Sequence, residues 1–420
     1  MKVLVVGGGG REHAIVWKLS QSPKINQIYC APGNPGIAEL AECLSISVSE
    51  IEKLADFTKK EQIDLTFVGP EEPLSLGIVN YFKEQGLAIY GPSREAALIE
   101  GSKAFAKEMM IKYQIPTAAY AAFTNYEKAL AYVHNEGAPI VIKADGLAAG
   151  KGVVVAKTLE EAENALKGMM KDVTFGSAGA RVVIEEFLEG EEMTLLAFVN
   201  GTTVKPMVPA QDHKPVFDGD KGPNTGGMGT YAPLPHIDSS MVKRIIEEIV
   251  QPTANAMVEE EVPFEGILYT GLMLTKSGPK VIEYNARFGD PETQVVLPLL
   301  ETDLLDILIA SLSGELENVE VKWKDMSAVC VIMSSDGYPG PYEKGQVIKG
   351  LDNVTYPTIV FHAGTTAKDG EIITNGGRVL GITSIGDHLK EARELAYQSV
   401  EKVSFNGAHY RTDIGTKAFR

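Results

Sequence analysis

Cysteine is scarce: three residues in 420, Cys30, Cys43 and Cys330, odd in number and far apart. No disulfide framework or zinc pattern follows, and a reducing compartment fits best, so a cytoplasmic location is expected. No uncharged apolar run reaches the roughly 18 residues that mark a membrane-spanning helix. The opening M-K-V-L-V-V is too short for the apolar core of a leader and runs straight into glycines, which suits a first strand. Positive charge is also short. Lysine and arginine number 39 against 56 aspartates and glutamates, a net charge of −17, which argues against nucleic acid or an anionic membrane as the main partner. A few local lysines and backbone amides can still hold phosphate in such a chain. With 44% hydrophobic residues, 420 positions suffice for two to four domains with real cores.

What the chain does have is glycine in informative places. Gly146 to Gly152 reads G-L-A-A-G-K-G. It is close to the nucleotide-binding G-x-x-x-x-G-K-S/T loop but one residue short, and Gly152 stands where a magnesium-binding hydroxyl belongs. Its flanks, Pro139–Lys143 and Gly152–Ala156, both read as strands, so the loop is expected at the tip of a β-hairpin. A flap of this composition can lay N–H groups over a polyphosphate, and an ordinary glycine-rich turn has the same look. The quartet Gly7–Gly10 invites comparison with the dinucleotide fingerprint. That comparison fails: the third glycine position holds Glu12 or His13, and the second strand ends Cys30-Ala31-Pro32-Gly33-Asn34 without a carboxylate. What remains is either a tight turn or a phosphate site at a helix N-terminus.

Along the chain, strands at 2–6, 26–30, 63–68 and 87–90 alternate with helices at 11–19 and 50–61, the pattern of a parallel α/β sheet closing near residue 100. A helix at 101–110 follows, then a β/α stretch to about 190. Strands at 193–199 and 203–208 precede a long Gly/Pro-rich loop at 211–235, a helix near 238–260 and a hairpin at 266–286. Strands at 328–333, 358–361 and 378–384 and a helix at 387–403 complete the chain. Long loops inside compact domains are usually functional, and this one carries Asp212, His213, Lys214 and a cluster from Thr225 to Gly229. His213 could serve as acid, base or simple hydrogen-bonding group.

Two further stretches carry chemistry. In V-I-E-Y-N-A-R (281–287), strand alternation puts Glu283, Asn285 and Arg287 on one face, with Ile282 and Tyr284 on the other. Glutamate and asparagine oxygens suit a hard cation, and the arginine fork suits a phosphoryl or carboxylate group, although a solvated polar face would look alike. In R-V-V-I-E-E-F-L-E-G-E-E (181–192), a strand-to-linker backbone can offer an amide and a carbonyl to an adenine edge, with Glu192 beyond it for ribose hydroxyls. A plain acidic turn is the alternative.

Together, V-G-G-G-G-R-E-H-A, V-G-P-E, K-A-D-G-L-A-A-G-K-G, A-Q-D-H-K, G-P-N-T-G-G-M-G, E-Y-N-A-R-F-G-D-P-E-T-Q and Y-R-T-D-I-G resemble the phosphoribosylamine–glycine ligase (glycinamide ribonucleotide synthetase) family of the ATP-grasp superfamily. The resemblance runs from residue 3 to residue 415. It departs after Lys214, where the family often carries a basic residue and this chain has Pro215, which touches only a peripheral contact. With the sequence ending at 420, the fused downstream purine enzymes of some relatives are not expected in this chain.

The resemblance implies a multidomain α/β and α+β chain with an ATP-grasp fold: an N-terminal parallel domain (1–100), an ATP-grasp core (101–325) whose part 120–190 is a mobile subdomain bearing the flap, and a small β-rich C-terminal domain (326–420). It implies ATP-dependent ligation of glycine to 5-phosphoribosylamine through glycyl phosphate, the second step of de novo purine synthesis, with Mg²⁺ or Mn²⁺, in a monomer or weak homodimer. Gly146, Gly150, Lys151 and Gly152 would cover the ATP phosphates, reached also by Lys103 and Lys143. Glu185, Glu186 and Leu188 would border the adenine and Glu192 the ribose. Glu283 and Asn285 would hold the metal. Arg287, Asp212, Lys214 and Asp290 form the expected catalytic set. Gly8, Gly9, Gly10 and Asn34 are expected on the phosphoribosylamine side, with His213, Thr225, Gly226, Gly227 and Met228 also lining substrate. A biotin-dependent carboxylase subunit, a formate-using purine enzyme and a non-catalytic nucleotide-binding module are the rival readings.

Overall fold

The computed structural model describes residues 1–146, 152–172 and 180–419. The run Val3–Val6 is fully buried because its strand, β1 (Lys2–Gly7), lies at the centre of a five-stranded sheet. The order is β3 (Glu42–Cys43), β2 (Gln27–Pro32), β1, β4 (Leu65–Val68), β5 (Ile89–Tyr90), all parallel. The register sets Gly7 beside Pro32 and Val6 beside Val68. The turns after β1, β2 and β4 therefore converge on one sheet edge, the edge where α/β folds place ligands. The two-residue β3 was absent from the sequence reading, since so short a strand carries no periodicity.

A second sheet, β6 (Tyr120–Phe123), β9 (Val182–Glu186), β7 (Ile140–Ala144) and β8 (Val153–Ala156) in that order, packs against helices Tyr126–Glu136 and Leu159–Met170 around its own core of Ala129, Val133, Ile142, Leu166 and Ile184. Here β7 and β8 pair antiparallel with Lys143 opposite Val153, the two arms expected of the hairpin. A third sheet runs β11 (Thr203–Pro206), β10 (Glu191–Asn200), β16 (Glu265–Thr275), β17 (Gly278–Asn285), antiparallel throughout.

The stretch 211–235 is not the loop expected from sequence. It holds β12 (Gln211–Asp212), β13 (Pro215–Phe217), β14 (Lys221–Asn224) and β15 (Gly229–Ala232). β15 is wholly buried and pairs with β18 (Ser327–Ser335), joining a sheet in the order β12-β15-β18-β22-β19 with β19 (Thr358–His362) and β22 (Arg378–Gly386). G-T-Y-A has little strand signal of its own; burial between partners obliges its N–H and C=O groups to pair, and the sheet supplies the partners. The helices Thr293–Leu299 and Leu304–Leu312 were also absent from the sequence reading. Among the described residues no helix is long and apolar enough to cross a membrane. The parallel N-terminal sheet, antiparallel central sheets and β-rich C-terminal part agree with the expected fold class.

Candidate active site

The four sheets meet around one cavity of about 420 Å³. Its hairpin side is built from β7 and the helix Lys103–Lys112. Ser102 caps that helix by accepting from the Phe105 amide, and Asp145, just past β7, accepts from the Ala104 amide at 3.1 Å. This joins hairpin arm to helix terminus, where carboxylate and helix dipole attract. Lys103 Nζ then donates to the Gly146 carbonyl at 3.0 Å, and burial lowers its pKa. Lys143 Nζ lies 2.8 Å from Glu185 Oε1 and donates to the Ile282 carbonyl at 2.9 Å. Lys107 Nζ lies 2.9 Å from Glu185 Oε2. Burial draws Lys107 down to about 8 although Glu185 pulls the other way.

The β17 wall carries the polar face read from sequence. Lys214 reaches across to Glu283 Oε1 at 3.3 Å and Glu192 Oε2 at 3.5 Å. The Lys214 ammonium, with Lys143 and Lys103 behind it, holds the Glu283 carboxyl down at about 2. The Lys214 pKa is raised: burial works against its charge, and the two carboxylates outweigh it. Asn285 Oδ1 accepts from Arg287 Nη2 at 3.4 Å. Arg287 is forked between Glu71, 3.2 Å from Nε, and Glu100, 2.9 Å from Nη2. Against the cost of burial, Arg287 and Arg11 hold Glu71 at about 2. Burial raises Glu100.

The remaining wall combines distant segments. Burial, and the nearby Glu292 carboxylate, push Asp212 well up, while its Oδ1 accepts from the His213 amide at 2.6 Å. Glu292 accepts from Tyr269 OH at 2.9 Å. Asp290 is lowered: burial opposes its charge, but Arg378 lies 3.4 Å away and the amide of Gln294 donates to it at 2.8 Å. The Arg11 backbone N–H, in the first turn of helix Gly10–Leu19, points to Asp290 Oδ2 at 3.4 Å.

Of the residues expected from sequence, Lys103, Lys143, Gly146, Gly152, Glu185, Glu186, Leu188, Glu192, Asp212, Lys214, Thr225, Gly226, Glu283, Asn285, Arg287 and Asp290 line this cavity. Gly150 and Lys151 lie outside the described residues. Gly8, Gly9, Gly10, Asn34, His213, Gly227 and Met228 are not among the residues that line it. Asn34 is committed to backbone: its amide donates to the Gly8 carbonyl at 2.9 Å and the His362 carbonyl at 2.8 Å. Glu12, which spoils the dinucleotide fingerprint, accepts from the Gly9 amide at 2.7 Å. A Cβ at Gly8 would sit 2.6 Å from the Gly33 carbonyl oxygen, so close backbone approach alone requires a glycine there. His213 is buried with Nδ1 at 3.2 Å from the Gly229 carbonyl, and burial pulls it to about 3, so it stays neutral. Met228 is a core side chain.

Sequence reasoning missed Lys107, Glu71, Glu100, Arg11, Tyr269, Glu292 and Arg378. Lys107 was within reach, four residues after Lys103 and so on the same helix face. Glu71 is the last residue of the V-G-P-E motif (68–71). Nothing local points to Arg378.

Family models described as the phosphoribosylglycinamide synthetase N domain, ATP-grasp (A) domain and C domain match residues 1–100, 101–293 and 328–417. The chain is 56% identical over 414 residues to a phosphoribosylamine–glycine ligase of Caldanaerobacter subterraneus subsp. tengcongensis, covering 99% of each. It superposes on a crystal structure of phosphoribosylamine–glycine ligase from Thermotoga maritima with a TM-score of 0.86 at 34% identity, over 99% of this chain and 100% of that one. The biotin carboxylase domain of a Hydrogenobacter thermophilus 2-oxoglutarate carboxylase, solved with MgADP and bicarbonate, shares the fold at a TM-score of 0.73 and 16% identity, over 97% and 91%.

Proposed function

The chain belongs to the phosphoribosylglycinamide synthetase family, and from that premise we propose that it ligates glycine to 5-phosphoribosylamine, converting ATP to ADP and phosphate and giving glycinamide ribonucleotide for purine synthesis. The observation that carries the reading is one cavity joining Lys143 of the hairpin arm and Lys103 and Lys107 of the neighbouring helix to Glu283, Asn285 and Arg287, in a chain whose residues 1–293 and 328–417 are matched by the family models.

A carboxylate is a poor acceptor for an amine because oxide is a poor leaving group. In the proposed sequence a glycine carboxylate oxygen attacks the γ-phosphorus and the bond to the β,γ-bridging oxygen breaks, releasing ADP. The amine of phosphoribosylamine then attacks the acyl carbon of glycyl phosphate, the C–O bond breaks, phosphate leaves, and the nitrogen gives up its proton. No enzyme nucleophile is needed; positioning and charge neutralisation do the catalysis. Lys103, Lys143 and Lys107 meet the nucleotide phosphates, Arg287 the transferring phosphoryl group or the glycyl carboxylate, and Lys214 the developing charge beside Glu283. Asp212 and Asp290 are the carboxylates offered to glycine's ammonium, whose arrival offsets the burial that raises Asp212. Asn34 holds the Gly8–Gly10 turn toward the ribose-phosphate end.

Glu283 and Asn285 offer a carboxylate and an amide oxygen on the cavity wall, a hard donor set that fits Mg²⁺ or Mn²⁺. When bound, such a cation neutralises charge on the β- and γ-phosphate oxygens. The division into 1–100, 101–325 and 326–420, with 120–190 moving as the unit that shuts water away from the acyl phosphate, belongs to this proposal, as do a cytoplasmic location and a monomer or weak homodimer.

The test is ADP release with ATP and Mg²⁺, comparing glycine, bicarbonate and formate, each with freshly prepared phosphoribosylamine. Release that requires glycine and phosphoribosylamine together supports the reading; release driven by bicarbonate or formate overturns it.

A further inference from the structure

Arg378 opens β22 and is the one cavity-lining residue beyond 326 among those described. Its Nη1 donates to the Gly226 carbonyl at 2.7 Å and the Asp290 carbonyl at 2.8 Å, both neutral acceptors. Its carboxylate contact, to Asp290 Oδ1, is longer at 3.4 Å. Among the described residues its Nε and Nη2 have no hydrogen-bond partner, so the fork is tied at one nitrogen and presents its other edge. A Cβ on Gly226 would lie 3.1 Å from Arg378 Cζ, so the guanidinium packs closely over the bare backbone at 226.

Most other lining cations are shared with carboxylates. Glu71 and Glu100 hold Arg287, Glu185 holds Lys107 and Lys143, and Glu283 and Glu192 hold Lys214. Lys103 is like Arg378: its hydrogen bond goes to a neutral carbonyl, that of Gly146. The two stand on different walls. Lys103 flanks the hairpin arm, while Arg378 flanks Gly226 and Asp290, the aspartate that also meets the first turn of helix Gly10–Leu19. The carboxylate contact of Arg378 falls on Nη1, the nitrogen already tied to backbone, so its Nε and Nη2 edge is what remains for an anionic ligand. The proposed reaction brings in two phosphate-bearing substrates.

We propose that the open edge of Arg378 binds the 5′-phosphate of phosphoribosylamine, which makes the C-terminal sheet part of the amine-substrate site. The inference rests on the reading of function above and adds to it a residue and a contact. An arginine fork matches phosphate oxygens in a way a lysine cannot, so the two variants R378K and R378Q separate fork from charge.

Ribose 5-phosphate and ribose are compared as competitive inhibitors against phosphoribosylamine in wild type, R378K and R378Q, with ATP and glycine KM measured alongside. Expected is a margin of about tenfold or more favouring ribose 5-phosphate in wild type, reduced in R378K and abolished in R378Q, with ATP and glycine KM unchanged. An equal margin in wild type and R378Q overturns the proposal. So does a parallel rise in all three KM values, which would mean that Arg378 only holds the 225–227 segment. Should R378Q not fold, R378K carries the same comparison: an undiminished margin there overturns the proposal. A wild type without phosphoribosylamine-dependent ADP release is the separate signature of a failed reading of function, and overturns both.

Discussion

Lys107 and Glu185 form a 2.9 Å ion pair on the cavity wall with 2% and 4% of their side chains exposed. Both side chains are almost wholly buried, so the protonation state of Lys107 is set by burial and by the charges packed around it. Lys107 sits at about 8 as the result of two opposed effects, burial lowering it and Glu185 raising it. Replacing Glu185 by glutamine removes the raising effect, and the lysine then loses its proton at lower pH. A lysine must be charged to help hold polyphosphate. In wild type the ATP KM is therefore expected to climb as pH rises through about 8, and in E185Q the climb begins at lower pH, with ATP KM at pH 8 about tenfold above wild type. Glycine KM should not follow. Steady-state ATP titrations from about pH 6 to about pH 9 check this; superimposable wild-type and E185Q profiles would refute it.

Arg287 is the hub of a second buried network. It answers two carboxylates from different segments, Glu71 after β4 and Glu100 ahead of the helix Lys103–Lys112. Truncation to alanine leaves both carboxylates without their fork, a loss of about 3–5 kcal/mol for a buried pair broken on one side. The pH dependence has a definite sign. Glu71 is held near 2 in the folded chain against an ordinary value of 4.5, so its share of stability is present above 4.5 and is lost as pH falls toward 2. Glu100, raised by burial, contributes with the opposite sign, so the diagnostic quantity is the difference between wild type and R287A. That difference should shrink as pH falls through this window. Urea midpoints measured at several acid pH values test it; a difference independent of pH counts against the Glu71 assignment.

How much of this site was legible beforehand depended on how local each signal was. Alternation put Glu283 and Asn285 on the cavity wall, because a strand's two-residue period needs no tertiary information, while Arg287 joins them from just past the end of β17, and Ile282 and Tyr284, expected on the other face, also reach the lining. The hairpin arms were equally plain from flanking apolar runs. The networks that hold those residues were not, since Glu185 with Lys107, and Glu71 and Glu100 with Arg287, are pairings made by topology. β15 was hidden for a similar reason: G-T-Y-A becomes a strand because β18 is beside it. The helix Thr293–Leu299 is buried on every side and contains Pro298, so it shows neither amphipathic periodicity nor helix-like composition. Asn34 was expected at the substrate, and the structure shows its amide already bonded to two carbonyls.

That commitment makes a prediction of its own. Asn34 ties the turn after β1 to the end of β19 through the Gly8 and His362 carbonyls, and its oxygen accepts from the Ile37 amide at 3.0 Å. Asn34→Ala strips partners from three largely buried backbone groups, which costs about 1–3 kcal/mol for each group left unpaired. The expected result is a lower denaturation midpoint with an unchanged slope, together with a weaker hold on phosphoribosylamine. If N34A keeps the wild-type midpoint and loses affinity for phosphoribosylamine alone, the side chain is a direct substrate ligand and the structural assignment fails.

Glu283 offers the most direct check on the catalytic wall. Its carboxyl is held at about 2 by Lys214, then Lys143 and Lys103, so it is ionised at any working pH. An ionised carboxylate among three ammoniums does two things: it balances their charge, and with Asn285 it presents oxygen donors to a divalent cation. Glu283→Ala removes both and lets the ammoniums repel one another across the site. Turnover should fall by about a thousandfold or more. The fold should persist, because the side chain is 32% exposed and Lys214 retains Glu192 at 3.5 Å. Glu283→Gln separates the two roles, keeping the shape and one oxygen while discarding the charge. If cation binding is what Glu283 supplies, E283Q recovers little activity and the metal concentration for half-maximal turnover rises. If E283A turns over at wild-type rates in saturating Mg²⁺, the carboxylate serves only to balance the lysines, and the metal site must be sought elsewhere on the cavity wall.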